Sequence, residues 1–114
     1  MKIAIIINEE TSYKCTGKGC FKAFFSRSDA FSEYDENTEI LGFTHTGGDF
    51  DKKIERLIDE GVDTIHLSTC LRGKNSNYEK LALDLSEHFN VVGYSHGSRE
   101  GKLGNTVFYD KRTV

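Results

Sequence analysis

Cys15, Cys20 and Cys70 are the residues of this sequence with the widest range of chemistry. As thiolates they could bind a soft metal ion or attack a disulfide. Cys15 and Cys20 are separated by four residues, and Lys14 and Lys18 lie beside them. Neighbouring ammonium groups, and a helix start at Cys20, would both favour the thiolate. Such a pair can share one metal ion, although a two-residue separation is the commoner tight arrangement. The same spacing also suits two ordinary reduced cysteines in a surface loop. Cys70 follows the apolar stretch ending at Leu67-Ser68-Thr69, where a cysteine often serves only as a small hydrophobe. As a third thiolate it would leave one tetrahedral position for another ligand or for water. His96 and His45 are the imidazole candidates for that position, and Asp49 is a hard oxygen candidate. His66 alternates with Ile65 and Leu67 and is expected to be a hydrogen-bonded core residue. His88 is expected late in a helix, as a favourable charge near its carboxyl end.

These residues must be placed by the elements around them. Ile3–Ile7 is a continuous apolar run, as expected for a strand covered on both faces. A polar segment, Asn8–Gly19, precedes a helix beginning near Cys20-Phe21-Lys22-Ala23-Phe24-Phe25. Glu39–Thr44 reads as the second strand. Asp49 can then cap a helix whose apolar face is Phe50, Ile54, Leu57 and Ile58, with Gly61 as its stop. Thr64–Ser68 is the third strand. Ser76-x-x-Glu79 has the form of a capping box for a helix that turns Leu81, Ala82, Leu85 and Phe89 inward. Val91–Tyr94 is the fourth strand, and Val107-Phe108-Tyr109 closes a glycine-punctuated tail.

Alternating strands and helices predict an α/β fold: a single three-layer domain over residues 1–114 with a mostly parallel sheet of 4–5 strands, Rossmann/flavodoxin-like in kind. Ligands of such sheets sit beyond the carboxyl ends of the strands. The loops there are Asn8–Gly19, His45–Asp49, Thr69–Ser76 and Ser95–Gly104. They hold or border all three cysteines, His45, Asp49 and His96, so fold and polar chemistry converge on one end of the molecule. Two anion-binding patterns in those loops are weak. Asp49 opposes an anion at the paired glycines 47 and 48, and Ser98–Gly104 lacks any fixed phosphate-loop spacing.

The totals narrow the function classes. With 114 residues the chain has the size of one domain able to bury a core without metals or disulfides. Fifteen Lys+Arg against 18 Asp+Glu leave a net charge of −3, which carries no footprint for nucleic acid. Ile3–Ile7 is too short for a membrane span, and it lacks the flanks of a secretory signal. An odd number of cysteines excludes a fully paired disulfide framework within the chain. Reduced thiols and a cytoplasmic location are therefore expected, and a homo-oligomer is left open.

With these residues in place, the chain resembles the CGGC domain family over roughly residues 1–96. The resemblance lies in Met1-Lys2-Ile3-Ala4-Ile5-Ile6, in Cys15-Thr16-Gly17-Lys18-Gly19-Cys20-Phe21-Lys22-Ala23-Phe24, and in Ala30-Phe31 and Leu41-Gly42-Phe43. Gly61-Val62-Asp63-Thr64-Ile65-His66-Leu67-Ser68-Thr69-Cys70 is its most telling stretch, and Ser95-His96 its last. Thr46-Gly47-Gly48-Asp49 stands where the family has its eponymous Cys-Gly-Gly-Cys. Asn8 stands for a cysteine usual after the first strand, and Asn77-Tyr78 for a cysteine-proline. The resemblance implies a metal site, for zinc or iron, and carries over Cys15, Cys20, Cys70 and His96. Metal binding without enzymatic activity is the leading expectation. A scaffold module that has lost its metal and a thiol-redox protein using Cys15 and Cys20 are the alternatives.

Overall fold

The computed structural model describes residues 1–100 and 106–111. The chain runs through β1 (Lys2–Ile7), α1 (Glu9–Ser12), α2 (Lys18–Phe25), a 3-10 turn (Asp29–Phe31) and β2 (Glu39–His45). It continues through α3 (Phe50–Asp59), β3 (Thr64–Leu67), α4 (Thr69–Lys74), α5 (Tyr78–Leu85), β4 (Asn90–Val92) and β5 (Phe108–Tyr109). The sheet order is β2-β1-β3-β4-β5. The first four strands are parallel and β5 is antiparallel to β4.

The β-branched run of β1 occupies the middle of the sheet because both of its faces are covered. Ile3, Ile5 and Ile7 pack with Cys20, Ala23 and Phe24 of α2 and with Phe31. Ala4 and Ile6 point the other way, to Leu57 of α3 and to Tyr78, Ala82 and Leu85 of α5. The two clusters are the two faces of one pleated strand. The expected three layers and mostly parallel sheet are therefore present. Asp49 caps α3 as its position suggests, accepting the Lys52 amide at 3.2 Å. Gly61 follows that helix with φ +82°, a conformation glycine adopts without strain. At Gly42 a side chain would press on Leu57 Cδ2 at 2.7 Å, so the bare backbone there lets Leu57 of α3 pack closely on β2.

Three local expectations need correction. Asn8–Gly19 and Thr69–Ser76 were expected as loops, yet they contain α1 and α4. Each is a short helix with at most one buried apolar residue, Leu71 in α4, so neither shows a helical period. Ser76 does not form a capping box. Asn77 occupies the cap position of α5, and the Asn75 side chain accepts the Asn77 amide at 2.8 Å. That Asx turn supplies the start which Ser76 and Glu79 seemed to encode. His88 lies in the turn beyond the last residue of α5 rather than inside the helix. Of the expected tail, Gly101, Lys102, Leu103 and Gly104 fall outside the described residues. Among the described residues no helix is long and apolar enough to cross a membrane.

His66 is fully buried, as its alternation with Ile65 and Leu67 suggests. Its Nδ1 lies 3.0 Å from the Tyr94 carbonyl and its Nε2 2.6 Å from the Tyr34 hydroxyl. A carbonyl only accepts, so Nδ1 carries the proton and Nε2 accepts from Tyr34. Burial pushes the His66 pKa down to about 4, outweighing the opposing Tyr94 hydrogen bond, and keeps the ring neutral.

Candidate thiol site

Strands β1 and β3 are neighbours, so the segments leaving their carboxyl ends emerge side by side. Cys15 and Cys20 follow β1, and Cys70 sits in the first turn of α4, three residues past the end of β3. The segment after β4, Tyr94 to Gly97, closes over the same edge.

Each sulfur has its own polar partner. Cys15 Sγ accepts the Gly17 amide at 3.2 Å. Cys20 Sγ is 3.1 Å from Ser95 Oγ, and Cys70 Sγ is 2.7 Å from Ser68 Oγ. Cys20 is buried, Cys70 half-buried and Cys15 exposed, and all three are free thiols. Burial pushes the Cys20 thiol pKa up, the Ser95 hydroxyl opposes this, and charge on Cys70 or Cys15 raises it further. Cys70 packs against the same apolar cluster that contains Cys20.

His96 belongs to the closing segment, which is tightly tied. Thr69 Oγ1 donates to the His96 carbonyl at 2.6 Å and accepts the His96 amide at 3.3 Å. Asp29, at φ +54°, accepts the Gly97 amide at 2.9 Å. The His96 ring lies over the start of α2, with Nε2 only 3.0 Å from where a Cβ on Gly19 would sit. His96 therefore stands beside the helix that carries Cys20.

His45 and Asp49 are engaged elsewhere. His45 Nδ1 accepts the Gly47 amide at 3.0 Å. Asp49 is committed to the amino end of α3. Asp49→Ala is expected to lower stability by about 1 kcal/mol through loss of the cap, which urea denaturation checks. Among the described residues no three His, Cys, Asp or Glu side chains form a group arranged to hold a metal ion. The sulfurs suit a soft metal in chemical type, and each is hydrogen-bonded to a hydroxyl or an amide.

Sequence reasoning missed Ser68 and Ser95 as the sulfur partners, Thr69 as the tie to His96, and Asp29 as the clamp on Gly97. For Ser68, Thr69 and Ser95 a signal was present, since each lies within a few residues of the carboxyl end of a strand. Asp29 had none, because its role depends on a left-handed backbone in a segment without periodicity.

This architecture defines an α/β domain that brings thiols and hydroxyls from two βα connections and from the segment after β4 to one sheet edge. The chain belongs to the CGGC domain family, whose model matches residues 2–96. Comparison with curated proteins and with solved structures found no match.

Proposed function

We propose that the carboxyl edge of the sheet is a metal-binding site built on Cys15, Cys20 and Cys70, without enzymatic activity. The observation that carries this reading is that adjacent strands β1 and β3 deliver the cysteine-bearing segments to one edge, where Cys70 packs against the cluster that contains Cys20. Membership of the CGGC family supports it. His96 is the candidate fourth donor, because its segment also supplies the hydroxyl beside Cys20. His45 and Asp49 drop out of the set. A three-sulfur set with one imidazole suits zinc; an iron–sulfur cluster would lack its fourth cysteine. The strand order 2-1-3-4-5 is that of flavodoxin-like sheets, with β5 reversed, and such sheets bind ligands at this edge. Three free thiols fit a reducing compartment such as the cytoplasm.

Binding exchanges the Ser95 and Ser68 contacts for metal bonds and releases thiol protons. Because burial raises the Cys20 pKa, zinc affinity is expected to fall steeply as pH drops. Untagged protein should take up about one zinc per chain, and Cys20→Ser or Cys70→Ser should reduce this at least tenfold. Less than about half a zinc per chain, unchanged in Cys70→Ser, would sink the proposal.

One observation favours thiol exchange as the second reading. Cys15 is exposed and lines an open cleft of about 650 Å³ with Lys14 and Lys74. The raised pKa of Cys20 makes it a poor attacking thiolate, so exchange would begin at Cys15. Stoichiometric mixed disulfide at Cys15, in protein that takes up no zinc, would favour this alternative.

A further inference from the structure

The two faces of the sheet carry outer surfaces of opposite character. On the α3–α5 side an open groove of about 510 Å³ runs between the helices. Its floor is Phe50, Ile54, Ile58, Leu81 and Leu85, and Ile58 is 42% exposed. Its rim carries four carboxylates, Asp51, Glu55, Asp84 and Glu87. Two of these reach outward to lysines, Glu55 to Lys52 at 3.4 Å and Asp84 to Lys80 at 3.2 Å. Such exposed pairs contribute little and yield readily to another cation.

On the opposite side, α2 presents Lys18, Phe21, Lys22 and Phe25. Their spacing of i, i+3, i+4 and i+7 puts them on one helical face. Phe25 is 71% exposed and stacks with Phe21 at 6.3 Å between ring centres. The helix contains no acidic residue. One exposed ring, Phe25, backed by the half-buried Phe21 that packs on Phe43 and sharing its face with two ammonium groups, therefore mirrors an apolar groove edged by carboxylates.

We propose that this groove receives α2 of a second copy of the chain. The two surfaces cover opposite faces of one sheet, so α2 cannot reach its own groove and the contact must be head to tail. Phe25 would enter the groove, with Lys18 and Lys22 meeting its acidic rim. One helix in one groove is a small interface, which sets the association at the weak, transient end. The proposal is independent of the thiol site.

Sedimentation equilibrium of the 114-residue chain over a range of concentrations tests it. The average mass should climb above 12.9 kDa as concentration rises. Raising salt from about 0.05 to 0.5 M should weaken association several-fold as the charges are screened. Phe25→Glu spoils the inserted helix and Ile58→Lys spoils the groove, and both positions are exposed enough to leave the fold intact. Each variant alone should stay monomeric. Mixed together they should form one-to-one dimers that grow no further, because one intact helix and one intact groove remain. Wild-type protein that stays monomeric at every concentration would overturn the proposal. So would variants that self-associate alone, or a mixture that does not pair.

Discussion

Lowering the pH from 7 to below 4 is expected to cost about 3 kcal/mol of stability through His66 alone. The ring is fully buried between Phe31 and two hydrogen-bond partners, and its folded pKa is about 4. In the unfolded chain an ordinary histidine titrates near 6.5. Between those values the unfolded state binds more protons, so stability is full above about 6.5 and falls with the pH, the loss being complete below about 4. About 2 kcal/mol of it should be gone by pH 5, where most carboxylates are still ionised. Urea unfolding at steps between pH 7 and pH 5 isolates this contribution. In His66→Gln the slope over that window should largely disappear, although the variant is less stable throughout. A wild-type curve flat from pH 7 to pH 5 would show that His66 is not held neutral in the core.

The second large effect is at Gly93. Its amide donates to the Val107 carbonyl at 2.9 Å, and its own carbonyl accepts the Tyr78 hydroxyl at 2.6 Å. The same hydroxyl accepts the Val107 amide at 3.2 Å. This three-way junction ties α5, the end of β4 and the approach to β5. A methyl group at residue 93 would collide with the Tyr78 hydroxyl and stand 2.5 Å from the Val107 carbonyl oxygen and 2.9 Å from its nitrogen. Backbone cannot swing aside as a side-chain tip can. Gly93→Ala is therefore expected to cost about 3 kcal/mol and to free β5 from β4. Hydrogen exchange at Val91, Gly93 and Tyr109, read beside urea denaturation, would show both. Gly47→Ala is a useful contrast, since its clash is with the flexible carboxylate of Glu9. It should cost much less.

How far the sequence announced these features depended on where the physical signal lay. Strand β1 and helix α3 were legible because a continuous apolar run and an i, i+4, i+7, i+8 stripe each have one simple structural solution. Once those were placed, parallel topology brought the cysteines to one edge without further information. Helices α1 and α4 were not legible, since a helix of four to six residues buries too little to leave a pattern. The capping box at Ser76 was a local signal outcompeted by a neighbouring one, the side chain of Asn75. Within the site, residue types identified the sulfurs, and strand ends marked their surroundings. Which hydroxyl meets Cys20 and which meets Cys70 was not legible beyond that, because the pairing depends on rotamers and sub-ångström placement. Asp49 shows the converse case: its capping role and its candidacy as a ligand were both readable, and the backbone amide of Lys52 took the carboxylate.

The most direct test of the thiol site is X-ray absorption at the zinc edge on protein reconstituted under reducing conditions. The proposed set predicts three sulfur neighbours at about 2.3 Å and one nitrogen near 2.0 Å. Cys70→Ser should lower the sulfur count to two. A first shell of oxygen and nitrogen alone, identical in wild type and in Cys70→Ser, would contradict it.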